Sequence, residues 1–263
     1  MPATELPPFG FGTGGLQDPR NCAESVRLAV EAGYRLVDGG QSYGNEAAVG
    51  EGIAAASTPR EELFVSTKVW ENLDRVVESV HGSLDRLGLD VLDMLYVHWP
   101  AGDYDPERTL AEFDELVETG LVRSVGMSNF TPPVLDQARA RLDAPVVANQ
   151  VEMHPLLQQA EMVRYAAVHD MYVVAYAPVA KGEVFDVPTL VDIAEKHDAT
   201  AAQVSLAWLA TKPNVVPIPR SGDPAHIREN RAAFDLVLDP ADIAAIEAID
   251  RERRLFDQDR ALW

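Results

Sequence analysis

Residues 33 to 46 read GYRLVDGGQSYGNE. Tyr34 to Val37 reads as a buried strand, and it ends on a carboxylate, Asp38. Five residues later comes a tyrosine, Tyr43, flanked by Gly44 and Asn45. Packing alone gives no reason to end a buried strand on a charge, because a lone buried ion costs several kcal/mol. In a parallel α/β protein the carboxyl ends of strands are where polar chemistry collects, so the stretch reads as one strand of such a sheet ending in a working group.

The same pattern repeats on either side. Short runs rich in Val, Leu and Tyr occur at Leu36 to Asp38, Leu63 to Lys68, Met94 to His98, Ser124 to Met127, Val146 to Val151, Tyr172 to Tyr176 and Val215 to Ile218. Amphipathic stretches lie between them: Cys22 to Ala32 before Gly33, Asp74 to Leu87 before Gly88, and Pro106 to Glu118 before Gly120. Glycine just past a helix is the expected left-handed cap. Strand and helix alternating this often predict a parallel sheet with helices outside. The run AAFDLVL, Ala232 to Leu238, supplies a short eighth strand, and eight close a barrel.

An open, doubly wound sheet competes with the barrel but lacks its glycine fingerprint. GFGTGG at Gly10 to Gly15 has no strand before it and no helix start after it. That opening reads instead as an amino-terminal β-hairpin, PPFGFG, closing one end. The expectation is an α/β protein, a (β/α)8 TIM barrel with that hairpin, forming a single domain over residues 1–263.

Composition narrows the partners. The formal net charge of −20 excludes nucleic acid, since phosphate binding needs clustered Lys and Arg. Of the 22 basic residues only Lys68, Lys181, Lys196 and Lys212 are lysine, and the acidic excess forms no block. This resembles proteins adapted to molar salt, where screening shrinks the reach of self-repulsion to about 3 Å. No apolar run approaches the roughly 20 residues that span a bilayer, and MPATELPPFG has no secretory pattern, so a cytoplasmic protein without membrane contact is expected. The single Cys22 leaves no intramolecular disulfide or thiolate cage, and His81, His154, His169 and His197 share no metal spacing. No metal is expected.

Asp38, Lys68 and His98 end three consecutive predicted strands at intervals of thirty residues, which places three ionisable side chains on one rim. Taken singly, Asp38 and Lys68 read as a supporting ion pair and His98 as a core histidine. With Tyr43 beside them they read as chemistry. A lysine about 4 Å from a phenolate at an effective dielectric near 20 stabilises it by roughly 4 kcal/mol, about three pKa units. That predicts Tyr43 as a general acid, with Asp38 holding Lys68 charged.

At this point the chain resembles the aldo-keto reductases, in particular their prokaryotic 2,5-diketo-gluconate reductase-like members. GYRLVDGGQSYGNE, LFVSTKVW, LYVHWP, VGMSNF, NQVEMHP, VVAYAP and IPRSGDPAHIREN follow one another in the family's order across the chain. The resemblance implies that Asp38, Tyr43, Lys68 and His98 are a catalytic tetrad, with hydride passing from nicotinamide to a carbonyl carbon, Tyr43 giving the proton and a neutral His98 orienting the carbonyl. It also implies that Ser128, Asn129 and Gln150 bind the carboxamide, that Tyr176 stacks on the ring, and that Thr13 and Asp38 border the cofactor. Arg220, Ser221, His226, Glu229 and Asn230 match the adenosine clamp. His226 stands where relatives carry an arginine, and Asp223 puts a carboxylate nearby, which weakens the case for a 2′-phosphate. NADPH is favoured over NADH, with Arg228 able to compensate.

Trp70, Trp99 and Phe256 are expected to wall the substrate pocket, together with Trp263. The short segment after Trp70, the short tail, and Gly14 where relatives often place an aromatic imply an open site. The expected activity is NAD(P)H-dependent reduction of a sugar-type or keto-acid-type aldehyde or ketone by a monomer. A cofactor-binding regulatory subunit of the same fold, with little turnover, remains the alternative.

Overall fold

The structure is a computed structural model that describes residues 4–70 and 72–256. Eight strands, β1 (Gly10–Gly12), β2 (Leu36–Asp38), β3 (Phe64–Val69), β4 (Met94–Val97), β5 (Val125–Ser128), β6 (Val146–Glu152), β7 (Tyr172–Tyr176) and β8 (Val215–Pro217), form one parallel sheet in chain order. The Gly12 N–H donates to Pro219 O at 3.1 Å and brings the end of β1 against the chain leaving β8. The sheet is thus a nearly closed (β/α)8 TIM barrel.

The crossovers are α1 (Pro19–Glu31), α2 (Glu46–Ala55), α3 (Val76–Leu87), α4 (Pro106–Glu118), α5 (Pro132–Arg139) and α6 (Ala160–Val168). Two helices, α7 (Pro188–Lys196) and α8 (Ala201–Ala210), join β7 to β8, while α9 (Pro224–Ala232) and α10 (Pro240–Glu247) follow β8. Local sequence sets their ends. In α4, Asp105 Oδ1 accepts from the Glu107 and Arg108 N–H groups, Pro106 takes the first helical position, and Leu110, Phe113 and Leu116 form the buried stripe. Thr200 and Gln203 close a reciprocal capping box on α8.

There are two apolar layers. The larger packs the helices on the outside of the sheet. The smaller fills the barrel and joins Leu36, Met94, Val147 and Val216, from four of the strands, to Leu6 and Tyr96.

Two expectations are corrected here. The opening GFG is no hairpin: Gly10–Gly12 runs parallel to β2, paired Gly10 with Leu36 and Gly12 with Asp38, and is itself the missing barrel strand. Backbone approach explains the glycine, since a Cβ on Gly12 would sit 2.9 Å from Ile218 O. The closing task falls instead to Leu6 in an irregular segment. Ala232 to Leu238 is not a strand, because β1 occupies the slot beside β8. Ala233–Asp235 forms a 3-10 turn after α9, and Phe234 stacks on Phe9 with ring centroids 4.1 Å apart.

Candidate active site

The carboxyl ends of the strands surround a cavity of about 540 Å³. Asp38, the last residue of β2, is buried and takes three donors: Ser66 Oγ at 3.0 Å and Gln150 Nε2 at 2.9 Å on Oδ1, and Lys68 Nζ at 2.5 Å on Oδ2. Lys68 also donates to Gly39 O at 2.6 Å, and its ammonium faces the Tyr43 ring. Burial works against the lysine's charge, but Asp38 and Tyr43 outweigh it and hold its pKa above the ordinary value.

Tyr43 is carried on a 3-10 turn, Gln41–Tyr43, with its ring centroid 5.2 Å from Lys68 Nζ. The downshift predicted for its phenol is corrected. Burial raises the pKa, Lys68 lowers it, Asp38 raises it again, and the net direction is upward. Desolvation, a property of the packed fold, sets that direction. Tyr43 therefore keeps its proton throughout the neutral range, ready to give it away.

His98 follows β4, its ring edge-to-face with Tyr43 at 5.8 Å and with Trp70 at 5.3 Å. Burial, reinforced by the Lys68 charge, pushes its pKa down to about 3, so the imidazole is neutral. Its Nδ1 lies 3.4 Å from Ser42 Oγ, and the other face of the site is Trp70 against Trp99 at 5.9 Å.

Across the cavity, the expected cofactor residues divide. Ser128, Asn129, Gln150, Tyr176 and Arg220 line it. Asn129 donates to His98 O and Ser128 Oγ, each at 3.0 Å, while its Oδ1 accepts from the Tyr176 hydroxyl at 2.9 Å. One Oδ1 lone pair remains for an amide N–H. A neutral, polar cradle beside an aromatic face fits a nicotinamide carboxamide, so the donor set suits that group.

Thr13 does not reach the cavity: it is fully buried and its hydroxyl donates to Asp38 O at 2.9 Å. Ser221, His226, Glu229 and Asn230 are not among the lining residues and run from Arg220 into α9. Asp223 is the N-cap of α9, its Oδ1 accepting from Ala225 N–H at 2.7 Å. That puts a carboxylate at the helix end that would otherwise favour an anion.

Of the expected substrate walls, Trp70, Trp99 and Phe256 line the cavity, and Trp263 lies outside the described residues. Gly14 has a second reason to be small, since a Cβ there would sit 3.1 Å from Tyr43 Cζ. Two residues missed from the sequence bear on the site, one lining it and one behind it. Lys181 lines the cavity and places Nζ 3.8 Å from the Phe256 ring centroid. Glu152 ends β6 on a buried carboxylate, the same signal that pointed to Asp38. Among the described residues, no three His, Cys, Asp or Glu side chains cluster as a metal site, and no helix is long and apolar enough to cross a membrane.

The sequence profile of the Aldo/keto reductase family matches residues 8–251. An aldo-keto reductase of Mycobacterium avium (strain 104) is 42% identical over 263 residues, covering 96% of this chain and 90% of that protein. The methylglyoxal reductase DkgB of Salmonella typhimurium is 41% identical over 256 residues, covering 95% of each. The solved structure of a Bombyx mori aldo-keto reductase in complex with NADP superposes with a TM-score of 0.88 at 31% identity, covering 97% of this chain and 92% of that one.

Proposed function

We propose that this chain, which belongs to the aldo/keto reductase family, reduces a small aldehyde or 2-oxoaldehyde to the alcohol with NADPH. The chain is an oxidoreductase of a family that acts on carbonyl compounds with nicotinamide cofactors. The reading is carried by one observation: a protonated Tyr43 whose ring centroid lies 5.2 Å from Lys68 Nζ, with Lys68 paired to a buried Asp38 and a neutral His98 alongside, at a cavity.

Reduced nicotinamide, when bound, supplies a hydride to the carbonyl carbon. The rest belongs to the chain. Tyr43 gives its hydroxyl proton to the carbonyl oxygen, so that hydride and proton together make the alcohol. Lys68 stabilises the phenolate left behind, and Asp38 keeps Lys68 charged and aimed. His98, uncharged, can donate a hydrogen bond to the carbonyl oxygen without competing for the proton. Ser128, Asn129 and Gln150 would hold the carboxamide, Tyr176 would cover the ring, and Arg220 would meet phosphate charge. Trp70, Trp99 and Phe256 form the apolar side where a short carbonyl compound would sit.

The relative named methylglyoxal reductase makes methylglyoxal the first substrate to try. Loss of reduced-nicotinamide absorbance with methylglyoxal, with NADPH and NADH run in parallel, tests the reading. Turnover that is faster with NADPH is expected. Folded protein that binds NADPH but turns over no carbonyl would sink it in favour of a cofactor-binding regulatory subunit.

A further inference from the structure

Glu152 is the last residue of β6, and its register partner on β7 is Tyr176, the aromatic face of the site. Its side chain is fully buried. The carboxylate takes hydrogen bonds from His154 Nε2 at 2.9 Å and from two successive backbone N–H groups, Leu255 at 2.7 Å and Phe256 at 3.0 Å. A carboxylate out of water must be satisfied by donors, and such charge-assisted bonds are the strong ones. The end of β6 thus obliges residues 255 and 256 to lie across it.

Other contacts hold the same segment more weakly. The Arg253 N–H donates to Leu156 O at 2.8 Å, and Arg251 and Arg253 pair with Glu183 at 3.0 and 3.2 Å. Both arginines are about half exposed, where ion pairs contribute little. Among these contacts Glu152 supplies the buried fastening. What it fastens is a wall: the Phe256 ring meets Tyr176 edge-on at 5.3 Å and 90°, with Lys181 over its face.

We propose that Glu152 is a positioning residue that pins Phe256 at the mouth of the cavity and so sets the largest carbonyl compound the site admits. This rests on the reductase reading above. Because Glu152 grips backbone N–H groups, the grip is independent of the side chain at 256. Glu152 decides where the wall stands, and Phe256 decides how much space it fills.

The test compares kcat/KM for methylglyoxal and for a bulky aliphatic aldehyde, cyclohexanecarbaldehyde, in wild type, Glu152→Gln, Phe256→Ala and the double variant. The ratio of bulky to small should rise on the order of tenfold in each single variant, the scale of a pocket-size change. In the Phe256→Ala background Glu152→Gln should add little, since it acts through a wall already gone. Tryptic cleavage between Arg254 and Leu255 should quicken in Glu152→Gln and not in Phe256→Ala. Should Glu152→Gln fail to fold, Leu255→Pro removes one of the two backbone donors without touching the buried carboxylate and should raise the same ratio. Unchanged ratios in a wild type that turns over methylglyoxal, or effects of the two single variants that add in full, would overturn the inference. A wild type with no turnover at all would overturn the reductase reading and this inference with it.

Discussion

Lys68 Nζ meets Asp38 Oδ2 at 2.5 Å with both side chains buried, and the same ammonium faces the Tyr43 ring. This ion pair is held at the bottom of the site rather than at its surface, so neither partner tolerates loss of the other. Lys68→Met should lower stability by about 3–5 kcal/mol, because it strands the Asp38 carboxylate. It should also cut kcat by at least ~100-fold, by removing the charge that steadies the phenolate. Adding Asp38→Asn to Lys68→Met should restore much of the stability and none of the rate. Chemical denaturation beside steady-state kinetics separates the two effects.

His98 gives a prediction in pH. Its pKa is pushed down to about 3 by burial and the Lys68 charge, so it does not titrate in the working range. The Tyr43 pKa is raised, so the phenol keeps its proton past the ordinary phenol range. The kcat/KM for reduction should therefore stay level from about pH 5 to 8, where an ordinary histidine would ionise, and fall only on the alkaline side as Tyr43 loses its proton. An acid limb centred near 6.5 would show that His98 carries a proton after all.

Gly14 stands against the phenol. A Cβ at this position would come 3.1 Å from Tyr43 Cζ and 3.3 Å from Cε2, tighter than ordinary contact. Gly14→Ala should leave the melting temperature nearly unchanged and lower kcat by roughly 10- to 100-fold, the scale of a small displacement of a reacting group. A variant with full kcat would mean that the Tyr43 ring yields without cost.

Asp223 governs charge at the start of α9. Serine in its place keeps a capping oxygen and removes the carboxylate. Asp223→Ser should shift the kcat/KM ratio of NADPH to NADH towards NADPH by about fivefold, the size of one exposed charge interaction of ~1 kcal/mol. Parallel assays with the two cofactors give the answer directly.

The parts of this molecule that were legible in the sequence are those that local rules dictate. The strand at Tyr172–Tyr176 and the helix at Pro106–Glu118 have the bounds that their apolar patterns and caps predict. Asp38, Lys68 and His98 declared themselves by ending buried runs on ionisable groups. The first barrel strand did not, because Gly10–Gly12 has no apolar signature. It is a strand only because β2 lies on one side and Pro219 O on the other, contacts with residues far along the chain. The direction of the Tyr43 shift was hidden for the same reason, since desolvation is a property of the packed fold. Glu152 carried the readable signal, a charge ending a strand, but its partners at Leu255 and Phe256 lie more than a hundred residues away.

Delivery of the proton by Tyr43 is tested by Tyr43→Phe, with NADPH binding followed by protein fluorescence and turnover followed by loss of NADPH absorbance with methylglyoxal. NADPH affinity should stay within about twofold of wild type and kcat should fall by roughly 100- to 10,000-fold, the range expected for loss of a general acid. A Tyr43→Phe protein that binds NADPH and reduces methylglyoxal at the wild-type rate would contradict proton delivery by Tyr43.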